Sequence, residues 1–124
     1  FKKELKMRKN LAHNYVELLN KKIPSASVVG LSKLYNNSWP TFNILIKNKN
    51  ILKKFLEKNK IFTKIYYAKP MPLYYPYIKF KKTKINDALK ISNSVLSLPF
   101  GPYLKIQDQK TVINFMEKYI NTYE

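Results

Sequence analysis

Residues 39–67, WPTFNILIKNKNILKKFLEKNKIFTKIYY, set the fold class. The first part alternates, with Phe42, Ile44 and Ile46 on one side and Thr41, Asn43 and Leu45 on the other. This is the period of a half-buried strand over 39–47, and Pro40 suits its opening position. The pattern then changes. Asn48 and Asn50 offer caps for a helix over 50–59, with Leu52, Phe55 and Leu56 as its buried face and Ile51 beside them. Asn59 suits the helix-ending left-handed conformation that glycine usually fills. IFTKIYY, 61–67, is β-branched and aromatic and reads as a second strand. Strand, helix and strand within 29 residues predict an α+β domain.

Outward from this unit the signals are mostly helical. Residues 1–20 carry an apolar stripe of Phe1, Leu5, Arg8, Ala12, Tyr15 and Leu19, widened by Leu11 and Leu18. Asn20 is a plausible cap, and Pro24 prevents continuation. Residues 21–38, with Gly30 and Asn36-Asn37-Ser38, read as a loop with room for one edge strand at Val28-Val29. After the strand at 61–67, Pro70, Pro72 and Pro76 break regular structure, making 68–84 an extended aromatic loop. Residues 85–98 open as a short helix and run into an extended segment. PFGPYLK is a turn, and Ile106, Val112, Ile113, Met116 and Ile120 mark a last helix over 106–122, with Asp108 in its first turn. The whole predicts one domain over 1–124, a small, mainly antiparallel sheet covered by helices.

Composition excludes several chemistries. The chain has 124 residues, no cysteine and a single histidine. No disulfide, thiolate metal site, cysteine nucleophile or multi-histidine site can be built. Gly30 and Gly101 are too far apart for a glycine-rich phosphate loop. The acids Glu57, Asp87, Asp108 and Glu117 are scattered, and Ser92, Ser94 and Ser97 lack a nucleophile-elbow context. No catalytic or metal-ligating residue is nominated. His13, among polar neighbours, reads as a solvated helix residue. No apolar run reaches membrane-spanning length and no signal core follows the start, so the expected location is cytoplasmic, with no membrane partner. The chain opens FKKELKMRKN, and Phe1 is expected to be a cut edge.

The formal charge is +17. That invites a nucleic-acid or other polyanion partner. Yet 23 of the 24 basic residues are lysine, which lacks the planar fork of arginine. Lys, Asn, Ile, Tyr and Phe are all residues of A+T-rich codons, and a genome with that bias loads lysine onto any solvated surface. Tyr66, Tyr67, Tyr74, Tyr75 and Tyr77 crowd one strand and loop. They admit three roles: packing the loop onto the core, facing a cleft with their hydroxyls, or stacking on bases.

Three strings, in order, resemble the C-terminal part of the DegT/DnrJ/StrS family of pyridoxal-phosphate-dependent sugar aminotransferases. In VLSLPFGPYLKIQDQKTVINFMEKYI, 95–120, Ser97, Leu98, Pro99, Pro102, Leu104, Gln109, Val112 and Ile113 stand where that family has a Ser-Leu-Pro stretch, a second proline and a helix with a Val-Ile pair. Residues 39–77 are similar to its aromatic strand, helix, Ile-x-Thr-x strand and Pro-Leu-His loop. RKNLAHNYVELL, 8–19, resembles the helix that joins the family's large and small domains.

The resemblance implies the small C-terminal domain of a fold-type I aminotransferase, with residues 1–20 as its interdomain helix. It implies transfer of an amino group, commonly from glutamate, to a nucleotide-linked keto-sugar, in the setting of polysaccharide biosynthesis. A complete member is a dimer whose small domain closes over the active site. The pyridoxal phosphate, its lysine and its acidic partner would belong to a missing N-terminal catalytic domain. This segment alone is therefore expected to bind no cofactor and to be inactive. Substrate-proximal candidates are Thr63 and Lys64 at the strand end, Tyr67, Tyr74 and Tyr77. Lys64 would approach a nucleotide-sugar phosphate, though by itself it reads as an exposed lysine. Two departures stand out: Tyr74 occupies the family's histidine position, and Lys60 replaces the glycine after the second helix. The alternatives are a stand-alone lysine-rich module for nucleic acid or another polyanion, and a truncated gene remnant.

Overall fold

The computed structural model describes residues 1–31, 37–80 and 84–124. Among these described residues, four helices surround a three-stranded antiparallel sheet. In chain order these are α1 (Lys2–Lys22), β1 (Ser27–Val28), β2 (Phe42–Leu45), α2 (Lys49–Lys58), α3 (Asn86–Ser94), β3 (Val95–Leu98) and α4 (Ile106–Tyr123), with single 3-10 turns at Met71–Leu73 and Tyr77–Lys79. The sheet order is β1-β2-β3. Asn36 and its neighbours at 32–36, and 81–83 of the aromatic loop, lie outside the described residues.

The alternation predicted around Phe42 places the sheet. Phe42 pairs with Leu98 and Ile44 with Leu96 on one face, while Asn43 with Ser97 and Leu45 with Val95 form the other. The first face is the core. Phe42, Ile44 and Leu96 are buried there with Tyr15 and Leu19 of α1, Leu52 and Leu56 of α2, and Ile113 and Met116 of α4. Three rings stack through it, Tyr15 on Phe42 at 4.8 Å and Trp39 on Phe42 at 5.5 Å.

α1 is held by the far end of the chain. Gln109, fully buried, accepts from Asn14 Nδ2 at 2.7 Å and donates to the Leu11 carbonyl at 2.8 Å. The Tyr15 hydroxyl donates to the Pro99 carbonyl at 2.8 Å. Burial, and then the charge of Asp108, push its pKa well above the ordinary tyrosine value. Lys22 adds a partly exposed ion pair with Glu117 at 2.9 Å, which is worth little by comparison. α1 runs two residues beyond Asn20, and the Ile23 amide still reaches the Leu19 carbonyl at 2.7 Å before Pro24 ends the series. The stripe on α1 is only half available to another domain. Leu11, Ala12, Tyr15 and Leu19 are buried within this chain, whereas Phe1 is 94% exposed. His13 is exposed, as expected.

The segment 61–67 is not a strand. Its one ladder contact is a bridge between Lys64 and Ser97, with amide-to-carbonyl distances of 3.0 and 2.8 Å. The third strand is instead 95–98, which the sequence marks only as extended. Composition favoured pairing at 61–67, but the chain turns away at Tyr66-Tyr67 before a second pair of bonds can form.

α2 ends in a Schellman motif. The Ile61 amide bonds to the Leu56 carbonyl at 2.9 Å and the Lys60 amide to the Glu57 carbonyl at 3.0 Å. Ile61 and Leu56 share the core, as the motif favours. The left-handed residue is Lys60, at φ 61°, and not Asn59, at φ −95°. A side chain there costs about 1 kcal/mol relative to glycine. Lys60→Gly is therefore expected to raise stability by roughly 0.5–1 kcal/mol, read as a higher urea midpoint at unchanged slope. An unchanged or lower midpoint would show that the left-handed lysine is unstrained.

Candidate functional site

The loop after Lys64 cannot join the sheet, because Pro70, Pro72 and Pro76 lack the amide a ladder needs. It closes on itself instead. The Leu73 and Tyr74 amides reach the Pro70 and Met71 carbonyls, each at 3.0 Å. The Ile78 amide reaches Tyr74 and the Phe80 amide reaches Tyr77, also at 3.0 Å. Short self-contained turns leave few inward positions, and the aromatic side chains point to solvent. Phe62 is 69% exposed, Tyr67 73%, Tyr75 78% and Phe80 68%, with Tyr66, Met71, Tyr74, Tyr77 and Ile78 also exposed. Of the three roles open to the tyrosines, packing onto the core is not the one they take. These exposed apolar side chains along one loop make it a candidate interaction surface.

Within this face lies a cavity of about 290 Å³. Tyr66, Tyr67, Lys69, Pro70 and Met71 of the loop meet Ala88, Ile91 and Ser92 of α3 and Val95 of β3. Val95 belongs to the sheet face opposite Phe42, so the cavity lies across the sheet from the core. The Lys69 ammonium stands 5.5 Å from the Tyr74 ring centre, and Lys79 stands 5.5 Å from that of Tyr75. Both are within cation–π range. The result is an apolar floor, phenol hydroxyls and a positive charge beside them. It can hold a hydroxyl-rich or anionic partner by contact.

The sequence candidates separate. Tyr67 lines the cavity, and Tyr74 adjoins it through Lys69. Tyr77 sits on the second turn and does not line it. Thr63 is only 3% exposed, and its hydroxyl is buried without a partner. Lys64 is fixed through its backbone to Ser97, with its side chain in solvent. Tyr66 was read only as one of the five crowded tyrosines, and Lys69, Met71, Ile91 and Val95 were not legible as site residues. Lys69, set between Tyr67 and Tyr74, carried the one usable signal, a cation among aromatic residues.

Among the described residues, Lys49 is the buried lysine, 5% exposed. Its ammonium donates to the Ser92 carbonyl and closes the end of α3, where a cation also suits the helix dipole. Burial lowers its pKa below the ordinary lysine value. It is thus occupied by the fold and not free for a cofactor. No group of three or more His, Asp or Glu side chains that could hold a metal occurs among the described residues. No helix there is long and apolar enough to cross a membrane.

The profile of the DegT/DnrJ/EryC1/StrS aminotransferase family matches residues 1–117. The chain belongs to this family. A family aminotransferase from Brucella abortus is 27% identical, with a TM-score of 0.80 over 93% of this chain and 31% of that one. DesV from S. venezuelae, solved with a ketimine intermediate, is 23% identical, with a TM-score of 0.83 and the same coverage of 93% and 31%. DesI, solved in the presence of its TDP-sugar product, is 16% identical at a TM-score of 0.83, covering 93% and 31%. No curated protein matches the chain. The chain thus spans about a third of the length of these solved family members and has the small antiparallel sheet and helices expected of it.

Proposed function

We propose that this chain is the small C-terminal domain of a pyridoxal-phosphate-dependent aminotransferase acting on a nucleotide-linked keto-sugar. The observation that carries the reading is the aromatic face at 62–80, uncovered in a chain that matches the family over 1–117. In this reading the face is a lining for substrate or for the remaining two-thirds of a complete enzyme. Tyr67 and Lys69 would contact the sugar nucleotide, and Tyr74 would keep Lys69 in place. The TDP-sugar product seen with DesI supports the substrate class by likeness of fold. When bound, the cofactor would supply the electron sink for amino transfer. The present residues would bind, orient and exclude water. The complete enzyme would be a homodimer, with glutamate as its amino donor.

The test begins with the intact mass of the native gene product from its source cells. A mass several-fold above 14.7 kDa, with bound-cofactor absorbance and glutamate-dependent amination of a TDP-keto-sugar, is expected. In that product Tyr67→Ala should raise the sugar KM about tenfold with a smaller change in kcat, as loss of uniform binding does. A product of 14.7 kDa without cofactor or amination would overturn the reading.

A further inference from the structure

A second open groove runs between α2 and α4, the helices that cover the Phe42 face of the sheet. It therefore lies across the sheet from the aromatic loop. Its volume is about 430 Å³, within the range of small-ligand sites. One wall is aromatic. Phe55 stands 5.4 Å from Tyr119 and 6.3 Å from Tyr123, and the two tyrosines stand 5.3 Å apart, centre to centre. Tyr123 is nevertheless 67% exposed, and Ile51 beside it 59%. Tyr123 thus keeps a ring face open to a ligand.

The rim is cationic. Lys54 and Lys58, one turn apart on α2, both line the groove and share a helix side. The acid nearest in sequence, Glu57, is paired with Lys53 instead. Lys54 and Lys58 have no ion pair among the described residues. Glu124, accepting from Asn48 Nδ2 at 3.2 Å, stands at one end of the groove as the opposing charge. An apolar ligand would gain nothing from the two ammoniums, and a bare anion would gain nothing from the rings. Exposed aromatic faces beside lysines are the combination that holds a base together with its phosphate.

We propose that the α2–α4 groove binds a nucleobase with its attached phosphate, the base stacked on Tyr123 and the phosphate held by Lys54 and Lys58. This goes beyond the aminotransferase reading and does not rest on it. The ligand has two sources, a free nucleotide or a single-stranded nucleic acid, and lysine's point charge serves either.

The test is calorimetric titration of the chain with ADP, with a ten-nucleotide oligothymidine and with inorganic pyrophosphate. ADP is expected to bind at least tenfold more tightly than pyrophosphate. Lys54→Gln with Lys58→Gln should weaken ADP binding about tenfold, and Tyr123→Leu several-fold. Lys2→Gln with Lys3→Gln removes the same charge from α1 and should leave it within twofold. Tighter oligothymidine binding, falling steeply with salt, assigns the strand as the source; tighter ADP binding assigns the free nucleotide. The proposal is overturned if neither binds, if pyrophosphate equals ADP, or if the groove variants behave like the α1 control. Any of those results leaves the amination test, which reads Tyr67 across the sheet, unaffected.

Discussion

Phe42→Ala is expected to remove about 3–5 kcal/mol of stability. Phe42 is fully buried, and its ring is packed by Tyr15, Trp39 and Phe100 at 4.8, 5.5 and 5.8 Å. Those rings come from α1, the approach to β2 and the turn after β3, so none can close on the space without moving its element. The loss therefore combines transfer of the ring to water with a cavity that cannot collapse. Against a typical total of about 5–15 kcal/mol, the variant should be near unfolding at room temperature. Urea denaturation followed by the fluorescence of Trp39, the sole tryptophan, reads the cluster directly. A loss below about 1.5 kcal/mol would mean that the cluster relaxes and is not the centre of the core.

Gln109→Leu is expected to cost roughly 2 kcal/mol. Leucine fits the volume, so the change isolates the hydrogen bonds from the packing. The bonds at risk tie α4 to Asn14 and to the Leu11 carbonyl of α1. A double-mutant cycle with Asn14→Ala apportions them, with an expected coupling of about 0.5–1.5 kcal/mol. Additive losses would show that the two side chains touch without stabilising one another. A neutral Gln109→Leu would show that water serves the buried groups equally well.

Legibility in the sequence followed the kind of signal each residue sends. Period and punctuation are local, so the buried alternation Phe42-Ile44-Ile46, α2, and the break at Pro70 to Pro76 were open to reading. The stop of α2 was legible but its left-handed residue was not: asparagine tolerates that conformation better than lysine, so Asn59 drew the reading, while the structure gives the turn to Lys60. Pairing is not local. Residues 61–67 have strand composition, yet only Lys64 finds an edge, because the partner is fixed by a segment some thirty residues later. Burial of polar groups is not local either: Lys49 looks like any surface lysine until Ser92 is seen above it. The tyrosines were open to three roles, core packing among them, and only the folded turns of the loop show that no interior remains for them. The candidate surface was thus legible as a region, but Lys69 and Met71 within it were not.

The bonds from α1 to Pro99 and Gln109 span 84 to 98 residues, and this has a meaning for synthesis. On a ribosome adding roughly 5–20 residues per second, the first helix emerges about 5–20 s before the helix that must cover it. For that interval Tyr15 and Leu19 are greasy and unattended, whatever the finished domain looks like. α4, made later, is the clasp for α1. A chain stopped short of α4 would not be a smaller version of this domain but an open one, with a sticky end offered to chaperones, proteases or its own siblings.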